Sequence, residues 1–135
     1  MNTTFWRNEI MDDIYGDANR EYYIGLSSTE PTVAGGNVTE PIANGYARVK
    51  ITQFTQSQDG TVRNAQDIVF PLSTGTWFDE NHLATHWVMF DGAGANAHLI
   101  SAGTLEVPIG IWKNTIVTIA ANKVVITLLD GANED

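Results

Sequence analysis

The apolar positions along the chain change period once. Over the first turns Phe5, Trp6, Ile10 and Ile14 recur at spacings near four, which predicts a helix with those side chains on one face. Thr3 or Thr4 is placed to cap its start, and Gly16 with Asn19 to stop it. Asp12 and Asp13 fall near its C-terminal end, where the helix dipole disfavours acids, so the last turn is expected to fray. A helix this short needs a surface to dock on. That surface is its own domain or, in the sharper reading, a neighbouring subunit reached through Phe5, Trp6 and Ile10.

From Tyr22 onward the pattern is that of strands. YYIGLS (22–27) is a short aromatic and aliphatic run. A Gly- and Pro-rich loop follows, in which Thr29-Glu30-Pro31 is echoed by Thr39-Glu40-Pro41; loops of that length are often contact surfaces. ARVKITQF (47–54) alternates, with Ala47, Val49 and Ile51 facing one way and Arg48, Lys50 and Thr52 the other. Asp59-Gly60 marks a hairpin turn, and DIVF (67–70) ends at Pro71. HWVMFD (86–91) is apolar on both faces and reads as a central strand. GAGANA (92–97) is a turn, and HLISAGTLEV (98–107) is a strand in which Gly103 marks a bulge or a close backbone approach. Pro108 and Gly110 interrupt the chain before TIVTIA and KVVITLL, which are expected to form a hairpin around Ala121-Asn122.

Some seven to eight short strands with frequent turn signals, and no strand–helix alternation, predict a mainly β fold. The expected architecture is an antiparallel β-sandwich, jelly-roll-like, preceded by a short helix. The corresponding division is a helix at 1–16, a β domain at 17–131 and a frayed tail at 132–135.

Composition narrows the partners. The 135 residues suit one domain, and a 43% hydrophobic content is enough for one core. Seven basic against 16 acidic residues give a net charge of −9, with the basic ones scattered. Nucleic acid and anionic membrane surfaces are therefore not expected as partners, since both call for a basic footprint. The absence of cysteine rules out disulfides and thiolate chemistry and fits folding in a reducing cytosol. The N-terminus has no signal-peptide pattern and the apolar runs are too short to span a bilayer as helices, so neither secretion nor membrane insertion is expected.

Candidate chemistry is sparse. No nucleophile elbow or complete phosphate-binding glycine motif occurs, and Gly92-Ala93-Gly94 lies between strands, where a phosphate-binding helix would not begin. Asp79, Glu80, His82 and His86 include metal-ligating residue types, but His82 and His86 share a face only on a helix and His86 opens a strand. No catalytic residue, cofactor or metal site is assigned on these grounds, and the chain reads as a non-enzyme. Trp6, Trp87, Tyr22 and Tyr23 lie on apolar faces and read as core. Tyr46, Trp77 and Trp112 lie in or beside loops, where exposed rings could stack on a sugar or fill a subunit interface.

Taken in order, a helix, YYIGLSSTEP, a Gly-rich loop into NGYARVKI, an Asn before IVFPLSTGTW, THWVMFDGAGANAHLISAGTL and a closing VVITLLDG resemble a family of small tail-fibre or minor structural proteins of tailed bacteriophages. The resemblance runs from Phe5 to Gly131. It implies a virion structural protein, tail-fibre-like or a head-attached spike or decoration, made in the host cytoplasm. It also implies a homo-oligomer, often a trimer, in contact with capsid or tail proteins. A host-surface glycan is the alternative partner. The resemblance further implies that Tyr46 and His86 are structural. Two stretches depart from the family pattern, DENHL (79–83) and PIGIWKNT (108–115), and both are candidate contact loops.

Overall fold

Thr3 sets the start of the fold. Its backbone is extended (φ −68°, ψ 159°) and its hydroxyl accepts the Trp6 N–H, capping helix α1 (Thr4–Tyr15). At the other end the Gly16 N–H closes on the Asp12 carbonyl. The computed structural model describes residues 1–79 and 82–129. Glu80, Gly131 and the 132–135 tail, on which expectations above fell, lie outside the described residues.

The helix docks on its own chain through only the C-terminal part of the face that the apolar spacing marked: Ile14 packs against the core, whereas Phe5 and Trp6 do not. Met11 is the buried residue, while Phe5 and Trp6 are 71% and 54% exposed and Ile10 is half-buried. Trp6 is therefore not a core residue. Hydrogen bonds decide the rotation. Asn8 Oδ1 accepts from the Ser57 hydroxyl and the Gly60 N–H, each at 2.8 Å, and Asp12 accepts the Ser57 N–H at 2.8 Å. Arg7 donates to the Asp59 carbonyl at 2.7 Å. These three residues lie beside Met11 on the helix, so satisfying them turns Phe5 and Trp6 outward.

Among the described residues eight strands follow: β1 (Tyr22–Ser27), β2 (Val49–Ile51), β3 (Thr61–Arg63), β4 (Ile68–Val69), β5 (Ala84–Phe90), β6 (Leu99–Ile109), β7 (Thr118–Ile119) and β8 (Val125–Thr127). The fold is mainly β and antiparallel, as the alternation predicts. The strands are divided unequally, into one four-stranded sheet in the order β2-β1-β5-β6 and two ribbons, β3-β8 and β4-β7. Side chains from α1, the sheet and both ribbons share one core around Ile24, Leu26, Trp87, Met89, Phe70 and Val62.

β5 is interior to the sheet and buried from Trp87 to Phe90, which is why its sequence is apolar on both faces. The Asp59-Gly60 turn closes as expected, with φ of 52° and 75° and reciprocal bonds between Gln58 and Thr61. β6 runs on through Pro108, contrary to the expected interruption there. An edge strand tolerates proline because its missing N–H can fall on the unpaired side, and β6 is an edge.

The expected hairpin of TIVTIA with KVVITLL does not form. β7 pairs with β4 and β8 with β3, so the chain crosses between ribbons at Ala121-Asn122. Asn64, 1% exposed, makes this corner. Its amide donates to the Gln66 and Ala120 carbonyls and its Oδ1 accepts the Val124 N–H at 2.9 Å. Its backbone also bonds Val124 and Asn122. The groups that a β7–β8 ladder would use near the turn are thus taken by one side chain.

Candidate contact surface

The loop after β1 is built as an arm folded back on itself. Its two Thr-Glu-Pro tripeptides meet: the Thr29 hydroxyl donates to Thr39 Oγ1 at 3.0 Å, and the Ser28 N–H bonds the Thr39 carbonyl. Buried Ser27 accepts the Thr39 N–H, which ties the arm to the end of β1. Asn44 and Gly45, at φ 63° and 84°, then reverse the chain toward β2.

Beneath the arm lies a polar cluster. Arg48 grips Glu40 with two bonds, Nε to Oε2 at 3.0 Å and Nη2 to Oε1 at 2.7 Å. Its Nη1 donates to the Gly92 and Gly94 carbonyls, and the guanidinium lies 3.5 Å from the centre of the Phe90 ring. The Tyr46 hydroxyl donates to Glu40 at 2.5 Å and accepts the Leu26 N–H at 3.1 Å, beyond the last β1 residue that β2 pairs. Burial, and then the bond to the Glu40 carboxylate, push the Tyr46 phenol far above its usual range. Gly25 makes room for this: a Cβ there would come within 2.6 Å of the Glu40 carboxylate. The cluster ties the arm's Glu40 to the residues that lead into β2, and these in turn to Leu26 of β1 and to the 92–97 turn.

Of the three loop aromatics, two are not open surface. Trp77 is 5% exposed, packs edge-on against Tyr46 at 5.1 Å, and donates its indole N–H to the Asn44 carbonyl. Tyr46 is half-buried with its hydroxyl committed. The expectation of exposed rings at these two positions is corrected, because each ring completes the core under the arm. Trp112 is half exposed. Its loop is held from below by buried Ser73, whose hydroxyl donates to the Trp112 carbonyl and accepts the Thr115 N–H.

A cleft of about 700 Å³ opens between the arm and residues 76–79 and 82, lined among others by Pro41, Ile42, Phe78, Asp79 and His82. Asp79 and His82 pair there at 3.2 Å. His86 instead lies in β5 with its ring against the Thr85 hydroxyl at 2.8 Å, and Glu80 falls outside the described residues. Among the described residues no group of three or more His, Asp or Glu side chains is placed to hold a metal ion. The 92–97 turn is closed by Asp91, which accepts the His98 N–H at 2.7 Å. That bond, with the His98 ring, holds the Asp91 carboxyl below its ordinary value.

Sequence reasoning missed the partly buried Glu40 and Arg48 and the buried Asn64 and Ser73. The one available signal was the repeated Thr-Glu-Pro, whose second glutamate is partly buried and whose first is exposed. Nothing in local pattern separates Arg48 from Lys50, which ends as an exposed pair with Glu21 at 3.5 Å.

A β domain whose polar clusters are spent on fastening its own loops has the organisation of a structural module. The particular kind is given by comparison: the chain belongs to the Podophage GP4 fiber I protein gp80 family, whose model matches residues 2–127. It is accordingly a bacteriophage structural protein of the fibre type, a component of the virion in contact with other virion components. This agrees with the resemblance carried by the ordered landmarks. A comparison with curated proteins finds no match.

Proposed function

We propose that the chain is a non-enzymatic, tail-fibre-like component of a tailed-phage particle that assembles as a homo-oligomer. The observation that carries this reading is the family match across residues 2–127. The internal use of the Glu40–Tyr46–Arg48 cluster supports a structural role, since catalysis would call for a polar group left free to meet a substrate. Self-association is supported by β6, an 11-residue edge strand that carries no charge from Leu99 to Leu105. Such an edge is a template for strand pairing, and two uncharged copies meet there without like-charge contact.

Quantitative mass spectrometry of purified particles tests the first part, and its expected outcome is a stoichiometric signal for this chain. Absence from particles in which other minor proteins are detected would sink the reading. Light scattering on the purified chain tests the second part. A monomer at all concentrations, unchanged by Ala102→Lys on the β6 edge, would remove the homo-oligomer.

A further inference from the structure

The rotation of α1 leaves one face unexplained. Asn8, Met11 and Asp12 are spent on the domain, as is Arg7. On a helix of 3.6 residues per turn the opposite face carries Phe5, Trp6, Glu9 and Asp13, and all four are exposed. Phe5 and Trp6 are 71% and 54% exposed, adjacent in sequence on the first turn, and among the described residues neither belongs to the hydrophobic core or to the partly buried side chains packed against it. Glu9 and Asp13 extend the same face by one turn each, and no basic side chain lies on it.

We propose that this outward face of α1 docks into an apolar groove rimmed by lysine or arginine on a different virion protein. The inference rests on the fibre reading above and names the kind of partner that reading calls for. Two aromatic anchors followed by two carboxylates fit the helix-in-groove mode, in which buried rings supply affinity and rim charges fix orientation. Charge complementarity chooses the occupant. A second copy of this chain carries the same two carboxylates on the same face, so an isologous α1–α1 contact would bring like charges together. A basic-rimmed partner meets them with opposite charge. The bonds of Asn8 and Asp12 to Ser57 and Gly60 hold the helix in one orientation on its domain, so its outer face is presented without first being ordered.

The test uses phage carrying the full chain with Phe5→Ala/Trp6→Ala, or with Glu9→Lys/Asp13→Lys, and reads the amount of the chain in purified particles by quantitative mass spectrometry. Thermal melting and light scattering of each purified variant are run beside it. The expected result is that both variants melt and self-associate like the parent, while their incorporation falls by about tenfold or more. Zero-length carbodiimide coupling in parent particles is expected to join Glu9 or Asp13 to a lysine of another virion protein. Three results would overturn the proposal: unchanged incorporation of both variants, loss of self-association together with incorporation, or coupling only between copies of this chain. Absence of the parent chain from particles would instead defeat the fibre reading itself, so the two failures are told apart.

Discussion

Gly103 lies directly across from Trp87 in the β5–β6 pair, and the indole covers the space where a side chain would stand. A Cβ at residue 103 would come within 2.5 Å of three indole atoms. Trp87 is itself 4% exposed and pairs on its other side with Leu26, so the ring has nowhere to go. The glycine is the condition for a tryptophan at the centre of the sheet.

Gly103→Ala is therefore expected to destabilise the domain by about 1–3 kcal/mol, the usual range for forcing extra atoms into a packed site. Urea unfolding followed by tryptophan fluorescence measures it. Equal stability of parent and variant would show that the indole can shift.

Glu40 and Arg48 form a second test, because their side chains are only 16% and 12% exposed. Arg48→Met should cost about 3–5 kcal/mol by leaving a buried carboxylate without its partner. Glu40→Gln/Arg48→Met together should cost less than the sum of the two single changes, since neither charge is then stranded. Additive costs in a double-mutant cycle would mean that the two groups act independently.

Alkaline pH should weaken the fold. In the unfolded chain a tyrosine loses its proton near pH 10. In the fold Tyr46 keeps its proton to higher pH because burial and the Glu40 carboxylate disfavour the phenolate, and burial raises Tyr15 and Tyr22 as well. Above about pH 10 the folded state thus holds more protons than the unfolded one, and stability present below that pH declines as pH rises. Tyr46→Phe is expected to be less stable at neutral pH, from the lost bonds to Glu40 and Leu26, and to show a shallower alkaline decline. Denaturant midpoints measured across that pH range decide it, and an unchanged slope would place the titration elsewhere.

At the ribbon corner Asn64→Asp is nearly isosteric but cannot donate. It would keep the bond from the Val124 N–H and set a carboxylate oxygen against the Gln66 and Ala120 carbonyls. A loss of about 3 kcal/mol or more is expected from a buried charge with two opposed acceptors. Hydrogen exchange should show the loss first in the β4–β7 and β3–β8 ribbons, and uniform weakening across the four-stranded sheet would contradict the corner role.

What could be read from sequence alone was whatever depends on neighbours in the chain. The apolar run of β5, the Asp59-Gly60 turn and a threonine cap at Thr3 or Thr4, which proves to be Thr3, each follow from a residue's own conformational preference or from a continuous apolar run, and each is found in place. Gly103 was legible as a special position, a bulge or a close backbone approach, but not as the room for the Trp87 side chain that it proves to be.

Tertiary structure decided the rest, because the deciding partners are far apart in sequence. Asn8 meets Ser57 and Gly60, and those bonds turn Phe5 and Trp6 outward although the apolar spacing groups them with Ile14, which packs on the core. Asn64 meets Ala120 and Val124, and so two adjacent strands enter different ribbons. Trp77 and Tyr46 read as loop aromatics until the arm folds over them and makes them core. In each case a buried polar group had to find its hydrogen-bond partner, and no local pattern of apolar and polar residues records which distant atom that will be.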